Sequence, residues 1–281
     1  MPSSLENISY TYMPKSNMEL VALSNISLTV NEGEFLGIIG HTGSGKSTLL
    51  QHMNGLMQPS SGRVTVDGLD LSLRKERIEA RSRVGLVFQY PEYQLFEETV
   101  YKDVAFGPRN LGVAESEIQE RVEEALTLVG LAPELFAEKS PFDLSGGEKR
   151  RAALAGIFAM RPSYLLLDEP MAGLDPSGRR AVIALLQTLR AKTGCAIVMI
   201  SHFMDDIAKC ADRIAVLRKG TLEMADTPER VFSNPEALLK MGLDLPQAAK
   251  LGLELQKRGM PVPNGIYTEE DIKRYLVEAL S

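Results

Sequence analysis

The chain has 281 residues, 44% hydrophobic and 24% charged, with 31 Lys and Arg against 37 Asp and Glu for a formal net charge of −6. That length suits one large domain with an appendage, and the acidic balance disfavours nucleic acid as a partner. No apolar run approaches the ~18 residues needed to cross a bilayer and no signal pattern opens the chain, so any work at a membrane is expected to go through partners.

From Ile8 to Val66 short β-rich runs alternate with turn signals. "ISYTY", "ISLTV" and "RVTV" alternate apolar and polar residues, whereas "FLGII" is continuously apolar and reads as a buried strand. It feeds "GHTGSGKS" at Gly40 to Ser47, which meets the full G-x-x-x-x-G-K-[ST] pattern between a strand and a helix that runs from Lys46 to Gly55. Backbone N–H groups of Gly43, Ser44, Gly45 and Lys46 are expected to wrap the β-phosphate of ATP, Lys46 to reach the β and γ oxygens, and Ser47 to bind Mg²⁺. Gly40, Thr42 and Thr48 complete the candidate nucleotide contacts. His41 and Thr42 occupy unrestricted positions, which points to shape more than chemistry.

"RVGLVF" predicts another buried strand that stops at Gln89, and from Pro91 to about Ala159 the pattern turns helical. "ESEIQERVEEALTLVG" places Ile118, Val122, Ala125 and Val129 on one face, with a capping box from Ser116 and Gln119 and a stop at Gly130. "LSGGEKRR" then offers Ser145 and Glu148 as a second capping box around Gly146 and Gly147, another anion-binding geometry. β-rich runs return as "YLLLD" and "CAIVMIS", separated by a helix over Ser177 to Lys192, the pattern of a parallel α/β sheet. Cys195 and Cys210 form no metal spacing and read as two reduced thiols.

"YLLLDEP" delivers two carboxylates to a strand end, Asp168 for the Mg²⁺ shell and Glu169 as general base for the attacking water. His202 ends the next strand and joins them as a γ-phosphate sensor. A hairpin of "RIAVL" and "TLEM" turns at Lys219 and Gly220, and a proline-punctuated tail closes on "TEEDIKRYLVEAL". There Thr268 is the predicted N-cap, with Asp271 three residues on and Ile272, Tyr275, Leu276 and Leu280 along one side.

Taken in order, "GHTGSGKST", Gln89, "LSGGE", "LLLDEP", "AGLD" and "SH" resemble the nucleotide-binding subunits of ABC transporters over Leu5 to about Val231. The resemblance implies a P-loop α/β fold with a mixed sheet core, an antiparallel β subdomain and a helical subdomain at about 91–159. In that family two cassettes pack head to tail, and each ATP lies between the P-loop of one and the "LSGGE" helix of the other. That accounts for two anion-binding turns in one chain. By position Tyr12 matches the aromatic that stacks on adenine, with Tyr10 the competing candidate; Gln89 would join Mg²⁺ and the attacking water to the transmembrane partner; Asp175 matches the loop that crosses the dimer interface and also reads as an N-cap ahead of Pro176. Glu148 departs from the family's usual Gln, and its carboxylate near a γ-phosphate is expected to slow the site it completes.

"FQYPEYQLFEETVYKDVAFGPRN" resembles the energy-coupling factor branch, and the loop in "YTYMPKSNMELVAL" looks most like its second ATPase. The resemblance implies a peripheral protein on the cytoplasmic face of the membrane, paired with a homologous ATPase, a transmembrane T component docked near Tyr90, Tyr93, Leu95 and Phe96, and an S component that binds a vitamin or other micronutrient. Residues 232–281, including the apolar stripe of "GLDLPQAAKLGLEL", resemble a helical dimerisation extension. The rival reading is a soluble ABC ATPase of DNA repair or translation, but such relatives usually carry two cassettes or a long coiled-coil insertion.

Overall fold

Burial pattern along the strands decides which of two sheets each one joins. The computed structural model describes residues 2–263 and 265–280; the side chain of Leu280, expected on the last helix's apolar stripe, lies outside that description. The chain opens with β1 (Ser3–Tyr12), β2 (Leu20–Val30), β3 (Phe35–Gly40), α1 (Lys46–Met53), β4 (Ser61–Val66), β5 (Leu69–Asp70), α2 (Arg74–Arg83) and β6 (Val84–Val87). A helical insertion follows: a 3-10 turn (Pro91–Gln94), α3 (Val100–Asn110), α4 (Glu115–Leu128), α5 (Pro133–Phe136), a second 3-10 turn (Pro141–Asp143) and α6 (Gly146–Phe158). Next come β7 (Tyr164–Asp168), α7 (Pro176–Thr193), β8 (Ala196–Ile200), α8 (Met204–Cys210), β9 (Arg213–Arg218) and β10 (Thr221–Asp226). The tail holds α9 (Pro228–Phe232), α10 (Pro235–Lys240), α11 (Gln247–Lys257) and α12 (Glu269–Leu280).

The first sheet is antiparallel, in the order β2-β1-β4-β5. Its strands show one-sided burial: Ile26, Leu28 and Val30 face inward while Ser27 and Thr29 face water. The second sheet runs β10-β9-β3-β8-β7-β6, parallel except for the β9–β10 hairpin. Here β3 and β8 are buried along their whole length because the sheet is covered on both faces. Phe35, Ile39, Leu165, Leu167, Ile197 and Met199 pack on one side with helices of the insertion and α7, and Leu36, Ile38, Leu166, Val198 and Ile200 pack on the other with α1 and the antiparallel sheet. The α/β fold with mixed and antiparallel sheets therefore agrees with the sequence.

Two expectations need correction. α4 starts at Glu115 with Ala114 as N-cap and no side-chain cap, so Ser116 and Gln119 lie inside the helix rather than forming its capping box. Glu115 instead pairs with Arg109 of α3 at 2.5 Å, a contact between the two helices. In the tail, Leu243, Leu245 and Ala249 are buried in the same core cluster as β3, β7 and β8, so most of the predicted surface stripe faces inward, and Leu251 is left 43% exposed. Ala248, Val262 and Ile272 form a small satellite cluster. Thr268 does cap α12, accepting from the Asp271 N–H at 3.1 Å.

Candidate nucleotide site

Strand register brings the predicted chemistry to one edge. Ile38 pairs with Ile200, Asp168 with Ile200, and Val87 with Leu167. The residues that follow β3, β7, β8 and β6 are therefore neighbours: the Gly40–Ser47 loop, Asp168 and Glu169, Ser201 and His202, and Gln89. Ligands of open α/β sheets bind at this carboxyl edge.

The loop after β3 is closed around its glycines. A Cβ at Gly40 would stand 2.4 Å from the Leu217 carbonyl oxygen, and one at Gly45, whose φ is +98°, would stand 2.5 Å from that of Ala22. Only glycine fits such a left-handed, crowded turn. Lys46 is buried, and its Nζ donates to the carbonyls of Gly40 at 2.8 Å and His41 at 3.0 Å. Burial pulls the Lys46 pKa down, against the opposing pull of Glu169 and Asp168. Burial likewise raises Asp168, which accepts a hydrogen bond from Ser47 that acts the other way. Ser44 Oγ is buried without a hydrogen-bond partner.

This is a donor-rich cradle suited to phosphate. The Ser47 hydroxyl and Asp168 carboxylate are hard oxygen donors that fit Mg²⁺, which takes few protein ligands and keeps waters and phosphate oxygens. No cluster of three His, Cys, Asp or Glu placed to hold a metal occurs among the described residues.

Glu169 sits at φ +49°, a left-handed conformation that costs a non-glycine residue energy and is met at functional turns. Its N–H donates to the Ile200 carbonyl at 3.2 Å, and its Oε1 lies 2.6 Å from His202 Nε2. The structure thus joins two residues that sequence placed only on the same edge. The following Phe203 ring lies 4.0 Å from the Arg179 guanidinium carbon, and Arg179 reaches Asp206 at 3.3 Å. The turn bearing His202 is thereby tied to α7.

Of the two candidate aromatics, Tyr10 stacks edge-on against His52, 4.8 Å between centroids, and packs on the core. The Tyr12 hydroxyl instead lies 3.1 Å from Thr48 Oγ1, at the start of the helix that the P-loop opens. Gln89 is exposed, level with Glu169 in register.

The second anion-binding turn is separate. Ser145, Gly146 and Gly147 are exposed, and the capping box forms as read: Glu148 N–H donates to Ser145 Oγ at 3.3 Å, while the Ser145 N–H and Oγ donate to Glu148 Oε2 at 2.8 and 2.6 Å. The Ser145 hydroxyl and then its N–H hold the Glu148 pKa below the usual carboxylate value. Asp175 caps α7, accepting from the Gly178 N–H at 2.7 Å.

Sequence reading missed Arg150. Only 5% exposed, it lies on the buried face of α6 with Leu154 and Phe158 and grips Glu92, Pro170 and Ala172. An arginine four and eight residues ahead of buried apolar positions is a legible sign of a paired charge.

Residues 23–172 match the family model described as ABC transporter. Over 281 residues, all of this chain and 98% of the relative, the chain is 50% identical to the energy-coupling factor transporter ATP-binding protein EcfA2 of Caldanaerobacter subterraneus subsp. tengcongensis. The protein of the same name in Clostridium perfringens is 48% identical over 281 residues, covering all of this chain and 99% of that one. Among solved structures, CbiO1 of Clostridium perfringens, described as part of the ABC transporter complex CbiONQ, superposes with a TM-score of 0.75 at 37% identity over 89% of this chain and 97% of that one. A dimeric ATP-binding cassette in a post-hydrolysis state with ADP and phosphate gives a TM-score of 0.70 at 29% identity over 80% and 98%. With a P-loop site at its sheet edge and full-length similarity of this order, the chain belongs to the ABC transporter family as an ATP-hydrolysing subunit of its energy-coupling factor branch.

Proposed function

We propose that this ATPase powers uptake of a vitamin or other micronutrient from the cytoplasmic face of the membrane, paired with a related ATPase and seated on a T component that works with a substrate-binding S component. The observation that carries the reading is that one chain holds two half-sites, a closed P-loop cradle and an exposed Ser145–Gly147 turn with no described hydrogen bond between them. Two chains packed head to tail would complete both.

Within a completed site, Glu169 would take the proton of the attacking water, oriented by His202 at 2.6 Å. Lys46 and the N–H groups of Gly43, Ser44 and Gly45 would hold the β- and γ-phosphates, Tyr12 would stack on adenine, and Gln89 would carry the state of the site to the membrane partner. Ser47, Asp168 and Gln89 would hold Mg²⁺, which would neutralise phosphate charge when bound.

A groove of about 320 Å³ between α3 and α6 supports a membrane partner. Phe96 and Phe106 meet edge-on in it, 4.9 Å between centroids, beside Leu111, Ile157 and Met160. Phe96, Phe106 and Leu111 are exposed apolar residues, as are Tyr90 and Tyr93, whereas Leu95 packs into the core. Such a surface fits an inserted helix of a partner. No helix among the described residues is long and apolar enough to cross a membrane.

The test is affinity purification from detergent-solubilised native membranes with mass identification of what travels along. The expected companions are a second ATPase and small helix-rich membrane proteins; recovery with nucleic-acid factors and no membrane protein would overturn the transport reading.

A further inference from the structure

Arg150 joins three segments that are far apart in sequence. Its Nε and Nη2 donate to the two carboxylate oxygens of Glu92 at 3.0 and 2.8 Å, and its Nη1 donates to the carbonyls of Ala172 at 2.9 Å and Pro170 at 3.4 Å. Such a two-pronged pair fixes direction as well as distance. Glu92 stands in the 3-10 turn just beyond Gln89, and this turn is set by Tyr90 at φ +57°. Pro170 and Ala172 lie in the turn that Glu169 begins, where the Ala172 N–H donates to the Glu169 carbonyl at 3.1 Å. Arg150 itself rides on the second turn of α6, immediately behind the exposed Ser145–Gly147 terminus.

The arrangement leaves little freedom for any of the three to move alone. Burial, the largest single influence, works to raise the Glu92 pKa, but the hydrogen bonds from Arg150, a backbone hydrogen bond and the guanidinium charge together outweigh it and hold the carboxyl below its ordinary value. A buried charge that loses its partner is unfavourable, so a shift of the 89–94 turn has to carry the guanidinium with it. The guanidinium in turn carries α6 and the Glu169 turn.

We propose that Glu92 and Arg150 are positioning residues for the ATPase reaction, a rigid link through which displacement of the 89–94 turn sets two things together: the aim of the α6 terminus toward the partner's nucleotide and the placement of Glu169 at this chain's own. The proposal rests on the roles assigned above to Gln89, Glu169 and the α6 terminus. It adds the physical connection between them. The link touches neither the P-loop nor Tyr12, so it governs turnover rather than nucleotide capture.

The test uses Glu92→Gln, which keeps the shape and one acceptor oxygen but removes the charge and turns the second acceptor into an NH2 donor, and Arg150→Lys, which keeps the charge but cannot span both turns. MgATP binding is measured on the isolated chain, and kcat and KM for ATP on the full complex purified with its membrane partners. The expected result is binding and KM within about twofold of native and kcat reduced about tenfold or more. Native kcat in either folded variant overturns the link, as does a rise in KM with kcat unchanged. Failure of both variants to fold, read by thermal melting, also overturns it, because the pair is then a staple of the fold. Glu169→Gln is run in parallel: hydrolysis at the native rate in that complex would sink the site assignment itself, whereas an inactive Glu169→Gln beside a fully active Glu92→Gln sinks the link alone.

Discussion

Gly45 and Gly147 both belong to glycine-rich turns that open helices, yet their surroundings differ. At Gly45 the backbone is left-handed and a Cβ would collide with the Ala22 carbonyl; at Gly146 and Gly147 the backbone is helical and a Cβ would meet nothing within 4 Å. Gly40 and Gly45 are demanded by the chain's own packing. Gly146 and Gly147 are not, and glycine in a helix costs roughly 0.5–1 kcal/mol against alanine. A residue that costs stability and relieves no internal crowding is not explained by the chain's own packing, and the proposed close approach of a ligand held by another protomer would explain it. The difference separates a finished cradle from half of one.

Paired substitutions should break the comparison if it is wrong. Gly45→Ala is expected to destabilise the isolated chain by about 2 kcal/mol or more, through strain and collision. Gly147→Ala should raise the melting temperature slightly, by the equivalent of up to about 1 kcal/mol, while lowering ATP hydrolysis by the assembled complex at least about tenfold. Thermal melting alongside a phosphate-release assay reads both, and undiminished hydrolysis by Gly147→Ala would show that no ligand comes close to that turn.

A smaller effect concerns charge at the same terminus. The Ser145 hydroxyl and N–H keep Glu148 ionised next to where a γ-phosphate would bind. Replacing it by Gln should speed turnover of the complex about two- to fivefold, the scale of one partly screened charge contact. An unchanged rate in Glu148→Gln would mean the carboxylate is turned away from the phosphate when the site closes.

The smallest effect sharpens the cradle side. His52, fully buried under Tyr10, donates from Nδ1 to the Thr48 carbonyl at 2.7 Å, and its Nε2 has no partner. Burial lowers its pKa below the ordinary 6.5. On acidification the unfolded chain takes up the proton first, so the stability tied to neutral His52 is intact above about pH 6.5 and is lost as pH falls below it, by at most about 1.4 kcal/mol per pH unit. Denaturant titrations across that range should show the slope, and His52→Gln should flatten it; an equal slope in the variant would place the proton uptake elsewhere.

Sequence carried the P-loop, both strand-end carboxylates and the α6 capping box because each is local: strand, turn and helix signals lie within a few residues of one another. Alternation in "ISLTV" and its absence in "FLGII" and "YLLLD" separated half-buried from fully buried strands, while the division into two sheets came from the family resemblance. Sequence missed the grip of Arg150 on Glu92, whose partners are 58 residues apart, since side-chain charge alone does not name a partner. The cap of α4 was misplaced because the helix begins two residues earlier, at Ala114, where no side-chain bond marks the start. In the tail, the apolar residues of "GLDLPQAAKLGLEL" were legible as a stripe, but not that Leu243 and Leu245 lie ahead of the helix in an irregular segment and turn into the main core.

Strand order has a consequence for the sequence of local opening. β3, which carries the P-loop, is held by a strand on each side, whereas β6, which carries Gln89, is a four-residue edge strand bonded only to β7. Free energies of local opening fall from the middle of a sheet to its margin. Amide protons of β3 should thus be among the last to exchange with solvent and those of β6 among the first, so the P-loop rests on a part of the sheet that yields little while the Gln89 turn hangs from a part that yields readily.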